Sequence, residues 1–353
     1  MSATLTATSL DHARALHRDN WVIDGHADTF YEVQDKGHDF FSDVPYGHTD
    51  YPRFLKGGVN LQIASVYTPK EFMGPYATEF ALKLLWTGLT TIQRSAGRLV
   101  RVADQASLKE VAPGNGKLGF MFSLEGGSPL NGSVELLEMF YRLGIRAIGL
   151  VHNHRNELAD GAYPIPGPQR GMTEHGKRVV KRMEELGMVV DVAHLADPSF
   201  YDLMAIATKP IWASHALCRA LQPIPRNLSD EMIRAIASTG GVVGVDFIVE
   251  HMKPVDPAIP PSGDVDDVCD HVDHIANLVG IDHVGIGSDF DGYFTPVGRL
   301  ADVSELPNLT AALLDRGYSD DDLVKFLGGN FLRVLNAVLP TDEADVNRRL
   351  STG

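Results

Sequence analysis

Only two cysteines, Cys218 and Cys269, occur in 353 residues, and they stand far apart. That usage argues against a disulfide framework and against a thiolate metal site, and it suits a reduced compartment. No apolar run approaches the ~18 residues that a membrane span needs, so no membrane partner is expected. The opening stretch MSATLTATSLDHARALHRDN lacks a basic segment followed by an apolar core, so the chain reads as soluble and cytoplasmic without a signal peptide. Also missing is any block of Lys and Arg. The formal charge of −15 would repel phosphate backbones, and nucleic acid is not an expected partner. There is no internal repeat and no low-complexity segment.

What is present is a series of short apolar runs rich in Val and Ile, at residues 22–26, 60–66, 118–124, 146–151, 188–193, 210–214, 241–246 and 283–288. Each reads as a buried strand. Between them lie stretches with helical spacing of apolar residues, among them VELLEMFYRLG, HGKRVVKRMEELG, SDEMIRAIASTG and VDDVCDHVDHIANLVG. Several end in Gly at the stop position, and Ser229 is placed to cap a helix. Alternating strands and helices imply parallel pairing. Eight such strands at this length predict an α/β fold, a closed (β/α)8 barrel, with an open doubly wound sheet as the competing arrangement. The reading is one catalytic domain over the whole chain, with a short N-terminal extension and a mobile, polar tail at 340–353. Two loops, 32–60 and 250–263, are longer than a barrel requires and are candidate walls of a ligand site.

Polar residues recur at one end of these strands. The first ends in His26 and Asp28, the third in Glu125, the fourth in His152 and His154, and the fifth in His194. The sixth ends in His215, the seventh in Asp246, and the eighth in Asp289 with Asp291 two residues on. A single His or Asp after a strand is most often a turn former or a helix cap. Seven strand ends that converge on one barrel rim are a different matter, and His, Asp and Glu are the ligand set of zinc and other first-row divalent ions.

Residues two apart on a strand point to the same side, so His26 and Asp28 can reach one ion while Ala27 faces away. Three histidines and two carboxylates exceed what one catalytic zinc uses. Two ions sharing Glu125 would account for the surplus, with His26 and Asp28 on one and His194 and His215 on the other. Asp289, near the metals but not bound to them, suits proton transfer. Arg226, in PIPRNLSDEM, reads first as a solvated side chain, but a guanidinium beside two metals would also hold a substrate carboxylate. Residue patterns alone leave His152 against His154, and Asp289 against Asp291, undecided.

Taken together, DGHAD, SLEGG, GLVHNH, DVAH, ASHALCRAL, PRN, GIGSDFDG and GGNFLRVL, in that order from Asp24 to Leu335, resemble the motifs of the membrane dipeptidase (renal dipeptidase) family of amidohydrolase-type barrels. The resemblance implies a metallo-dependent hydrolase with two zinc ions per chain: His26 and Asp28 on the first, Glu125 bridging, His194 and His215 on the second. It also implies His152 as the group that polarises the scissile carbonyl, Arg226 as the anchor of the substrate carboxylate, and Asp289 as the acid/base. Dipeptides with a free C-terminal carboxylate, a D-residue at the second position included, are the implied substrates, and a homodimer the common assembly. Animal members are secreted, disulfide-linked and lipid-anchored, whereas this sequence resembles a bacterial cytoplasmic branch. Ile224 and Pro225 stand where the family often has His. The rival readings are a barrel hydrolase acting on an ester, lactone or N-acyl amino acid, and a non-catalytic metal-binding protein.

Overall fold

A computed structural model describes residues 7–163, 168–256 and 258–351, and each of the eight apolar runs contains a strand. They are β1 (Ile23–Ala27), β2 (Leu61–Tyr67), β3 (Leu118–Glu125), β4 (Ile145–Gly149), β5 (Val189–Asp191), β6 (Trp212–Ala213), β7 (Val242–Val245) and β8 (Val284–Ile286). Each strand pairs in parallel with the next, and β1 pairs with β8, so the sheet closes on itself. Closure removes both sheet edges and excludes the open doubly wound alternative.

The regular pairing is shorter than the apolar runs at several C-terminal ends. β5 stops at Asp191, because His194 just beyond it takes a left-handed backbone, φ 67°, that a strand cannot continue through. A ninth strand, Leu99–Arg101, lies outside the barrel against β3, and three residues are too few to show a period.

The expected helices form at Ala77–Gln93, Val134–Leu143, Glu174–Leu186, Asp230–Ser238 and Val265–Val279. Ser133, Thr173 and Ser229 each accept a first-turn amide, a contact worth about 1 kcal/mol apiece. Gly144 and Gly187 close two of the helices in the left-handed conformation.

Two expectations need correction. The 32–60 stretch is not an open loop, since it carries most of the helix Thr29–Lys36 and all of the helix Tyr51–Gly57, both too brief to reveal a helical period. The second starts on Asp50, whose carboxylate caps Arg53 N at 2.8 Å and pairs with the Arg53 guanidinium at 2.7 Å. Nor is the described part of the tail, up to Ser351, an open polar segment. A helix, Glu343–Ser351, buries Leu350 and pairs Arg349 with Asp345, so its charged residues hid an anchored face.

The lower half of the barrel is filled by side chain and backbone. Phe331, from the helix Asn330–Val338, meets Trp212 edge-on at 5.4 Å between centroids. A Cβ on Gly25 would lie 2.5 Å from the Phe331 ring, so β1 requires glycine there. Gly244 and Gly287 make the same allowance for the Ser214 carbonyl, which would lie 2.2 and 2.0 Å from an added Cβ. These close approaches bring β6 near β1 and β8, and with it His215 near His26.

The N-terminal helix Ala7–Asp19 is fastened by buried His17, whose Nδ1 lies 2.7 Å from the Gly57 carbonyl and Nε2 2.7 Å from Thr310 Oγ1. Burial pulls its imidazole down to about 4, against the opposing pull of the Gly57 carbonyl. An unfolded histidine titrates near 6.5, so below that pH the unfolded chain binds more protons than the folded one. The stabilisation from neutral His17 is therefore complete above pH ~6.5 and is lost as the pH falls toward about 4. Between pH 7.5 and 4.5 wild type should lose about 2.5 kcal/mol more unfolding free energy than His17→Gln. Urea unfolding of both proteins at the two pH values measures this, and equal losses would refute it.

Candidate metal centre and active site

The ends of β1, β3, β5, β6 and β8 bring His26, Asp28, Glu125, His194, His215 and Asp289 into one mouth, each less than a tenth exposed. Glu125 sits at the middle. Its Oε1 lies 3.0 Å from His194 Nε2 and 3.6 Å from His215 Nε2, and its Oε2 lies 3.5 Å from His26 Nε2. His194 Nε2 and His215 Nε2 are themselves 2.9 Å apart. The rings of His26 and His215 lie 3.9 Å apart. Three ligand sets have donor atoms within 4.8 Å of one another: His26, Glu125 and His215; Glu125, His152 and His194; and His26, Asp28 and Asp289.

The polar atoms left over test whether cations fit. Both ring nitrogens of His26 and Oδ1 of Asp28 are buried without a hydrogen-bond partner among the described residues. Leaving such groups unpaired costs on the order of 1–3 kcal/mol each. Imidazole nitrogens and carboxylate oxygens converging on common points are the donor set of first-row divalent ions, and the residues present fit them.

The electrostatics agree. Burial would lower His26, but Glu125, Asp289 and Asp28 prevail and push it up to about 10. Burial and the Glu125 charge push Asp28 up to about 7. Asp289 is raised well above the usual carboxylate range by burial, with Glu125 and Asp28 adding to the effect against His26. Glu125 goes well below its ordinary value, since His26 and His194 outweigh its burial. His194 and His215 fall well below theirs through burial, with Arg226 nearby as a further cause. Burial thus favours the protonated forms of Asp28 and Asp289, and the surrounding carboxylates favour that of His26.

Choices left open by the residue pattern now separate. His152 lies beside this cluster, its Nε2 3.9 Å from Glu125 and its ring 4.8 Å from that of Tyr67, whereas His154 is exposed. Asp291 does not face the cluster, because its carboxylate accepts from the His48 amide and the Thr49 hydroxyl. Arg219 is committed to Asp197 through two contacts of 2.7 and 2.8 Å. Arg226 is 3% exposed, and its Nη2 donates to the His215 carbonyl at 2.9 Å. Its Nε and Nη1 have no hydrogen-bond partner among the described residues. Asp246, at the end of β7, faces His251 at 3.1 Å and is not in any of the three ligand sets.

Supporting residues escaped the sequence pattern. Ser65 Oγ on β2 donates to Glu125 Oε2 at 3.1 Å, and Ser214 Oγ lies 2.8 Å from His215 Nδ1. Asp24 accepts from Ser288 N and Oγ at 2.9 and 2.6 Å, and Asp191 from Ala193 N and Ser214 N at 2.9 and 3.0 Å. The two aspartates pin the strand ends from which the candidate ligands project. Their one visible signal is an Asp placed two or three residues before a His, which is too common to single out. Asn153, His194 and Asp289 all have left-handed backbones, with φ of 50°, 67° and 60°. A cleft of about 270 Å³ opens beside His152, lined by Tyr67, Lys70, Met73, Ser128 and Asn153.

The sequence model of the membrane dipeptidases (peptidase family M19) matches residues 10–348. The chain belongs to this family. It is an enzyme of the dipeptidase class, and its relatives agree. It is 31% identical over 345 residues to dipeptidase verJ of Clonostachys rogersoniana, covering 94% of this chain and 87% of that one. It is 32% identical over 306 residues to dipeptidase aclJ of Aspergillus oryzae, covering 84% and 71% respectively. Among solved structures, a metallopeptidase from Rhodobacter sphaeroides liganded with a phosphinate mimic of the dipeptide L-Ala-D-Ala superposes with a TM-score of 0.82. That protein is 26% identical, and the match covers 91% of this chain and all of the other. The family's name notwithstanding, no helix among the described residues is long and apolar enough to cross a membrane.

The same charge balance predicts how a membrane dipeptidase of this sequence takes up metal. If His26 and Asp28 are ligands, a divalent cation would displace their protons, and uptake by the metal-free protein near pH 7 should release about one to two protons per chain. Affinity should fall as the pH falls, because each ligand must be deprotonated to bind. Calorimetric titration in two buffers of different ionisation enthalpy counts these protons, and a buffer-independent heat would contradict the prediction.

Proposed function

We propose that this chain is a binuclear zinc dipeptidase acting on dipeptides with a free C-terminal carboxylate, L-Xaa-D-Xaa substrates included. The observation that carries the substrate class is Arg226. A buried guanidinium with two unpaired donor nitrogens, next to a cluster of His and carboxylate groups, calls for an anionic partner, and a substrate carboxylate supplies one. The phosphinate mimic bound by the Rhodobacter sphaeroides protein supports the same reading.

In this reading His26 and Asp28 would hold one zinc ion, His194 and His215 the other, and Glu125 would serve both. Other first-row divalent ions suit the same donors. Bound there, the metals would polarise the scissile carbonyl and lower the pKa of the attacking water. The chain's own groups do the rest. Arg226 receives the C-terminal carboxylate through Nε and Nη1 and fixes the peptide bond over Glu125. His152, whose burial outweighs the pull of Glu125 and lowers its pKa, donates a hydrogen bond from its Nδ1 to the carbonyl oxygen as negative charge grows on it. Asp289 accepts the proton of the water and passes it to the departing amine, a role that its position 3.7 Å from His26, at the edge of the cluster, favours.

Two experiments test this. Replacing Asp289 by Asn should leave fold and metal content intact while lowering kcat by ~10² to 10⁴. A fully active variant would remove Asp289 from the mechanism, and loss of metal would make it a ligand instead. Amidating the C-terminus of a good dipeptide, or changing Arg226→Ala, should each lower kcat/KM by ~30-fold or more. Both together should cost far less than the product, because the interaction can be lost only once. Losses that simply multiply would show that Arg226 does not hold the carboxylate.

A further inference from the structure

Asn153 lies between His152 and exposed His154, and its side chain reaches His194 in the cluster. Its Oδ1 lies 2.9 Å from His194 Nδ1, and its Nδ2 lies 3.3 Å from His152 Nε2. One amide thus touches two imidazoles from neighbouring strands, and those two rings are 4.5 Å apart. We propose that Asn153 is a positioning residue that holds His194 as a metal ligand and fixes His152 against it as one unit.

The hydrogen-bond chemistry sets the direction of each contact. For His194 to offer the Nε2 lone pair to a metal beside Glu125, its proton must sit on Nδ1, and that N–H then needs an acceptor. The Asn153 carbonyl oxygen is that acceptor, which turns the amide nitrogen toward His152. The nitrogen donates to His152 Nε2, so the His152 proton sits on Nδ1. The same amide therefore selects the tautomer of both rings and ties the spacing between metal ligand and carbonyl-polarising group to a single side chain.

The backbone around it is built to keep this side chain in place. Asn153 has φ 50°, a conformation that asparagine adopts more readily than most residues. Its own carbonyl accepts from Tyr163 N at 2.9 Å. A Cβ on Gly161 would lie 2.3 Å from that carbonyl, so the returning strand of the loop needs glycine to fit. Gly161 bridges Leu195, Ala162 N donates to the His194 carbonyl at 2.7 Å, and Ala196 N donates to the Asp160 carbonyl at 3.1 Å. The loops after β4 and β5 are thus stitched together on either side of the Asn153–His194 contact. Supporting partners of metal-bound histidines typically carry 10- to 100-fold in metal affinity.

This inference rests on the metal-binding reading of the site, and two variants separate its parts. Asn153→Gly removes the side chain while accepting the left-handed backbone. Asn153→Asp keeps an acceptor for His194 and loses the donor to His152. Zinc dissociation constants, measured by competition with a chromogenic chelator, should rise about 10- to 100-fold in the Gly variant and stay unchanged or tighten in the Asp variant. The kcat of the zinc-saturated protein should fall about tenfold or more in both, with KM for a free-acid dipeptide changing less than threefold, since Arg226 is untouched. Thermal melting of the metal-free variants reports whether the fold is intact. Unchanged zinc affinity in Asn153→Gly, or equal weakening in the Gly and Asp variants, would overturn the inference while leaving the dipeptidase reading in place. A wild-type protein that binds no zinc would overturn both.

Discussion

The structure depends on one electrostatic constraint: three carboxylates and three imidazoles are buried together at the mouth of the barrel. Water cannot screen them there, and the single guanidinium of Arg226 does not neutralise them. Protons can satisfy the cluster, at the cost of lifting His26, Asp28 and Asp289 away from their ordinary titration ranges. Cations can satisfy it as well, and they account for the orphaned atoms of His26 and Asp28 that protons alone leave without partners. Strand closure, the pinning aspartates and the loops above β4 and β5 all serve to hold these groups where mutual repulsion would otherwise spread them.

The barrel divides this labour along its axis. Below the cluster, Phe331, Trp212 and the glycines facing the Ser214 carbonyl fill the interior with contacts too close for a methyl group. Above it, polar side chains replace apolar ones within two or three residues on the same strands. Asp24 and Asp191 stand at the boundary, spending their carboxylates on backbone amides and the Ser288 hydroxyl. Each buries a carboxyl group in the service of geometry rather than chemistry.

Much of this was legible in the sequence, for a physical reason. Strands buried on both faces read as unbroken Val and Ile runs, and a polar residue closing such a run marks the rim. Residues 22–28 and 118–125 show the pattern plainly, and the family resemblance orders the eight motifs. The rest was hidden because it depends on partners distant in the chain. Asp291 looked equivalent to Asp289 until His48 and Thr49 took its oxygens. Arg219 and Arg226 are separated only by their partners, since Asp197 takes the Arg219 guanidinium. Asn153 and Ser214 carry no signal of their own, being ordinary polar residues beside more conspicuous histidines. The short helices before β2 and the last helix escaped because seven to nine residues, heavily charged or aromatic, do not show a clear period.

The left-handed backbone at residue 194 also constrains how such a site can diverge. Few residues other than glycine tolerate that conformation, and asparagine, aspartate and histidine are the main ones. A lineage that drifted toward a different metal would therefore reach an aspartate or an asparagine at this position far more readily than a cysteine or a glutamate. If His194 is a ligand, the backbone at this one position would thus favour nitrogen and oxygen donors there over sulfur.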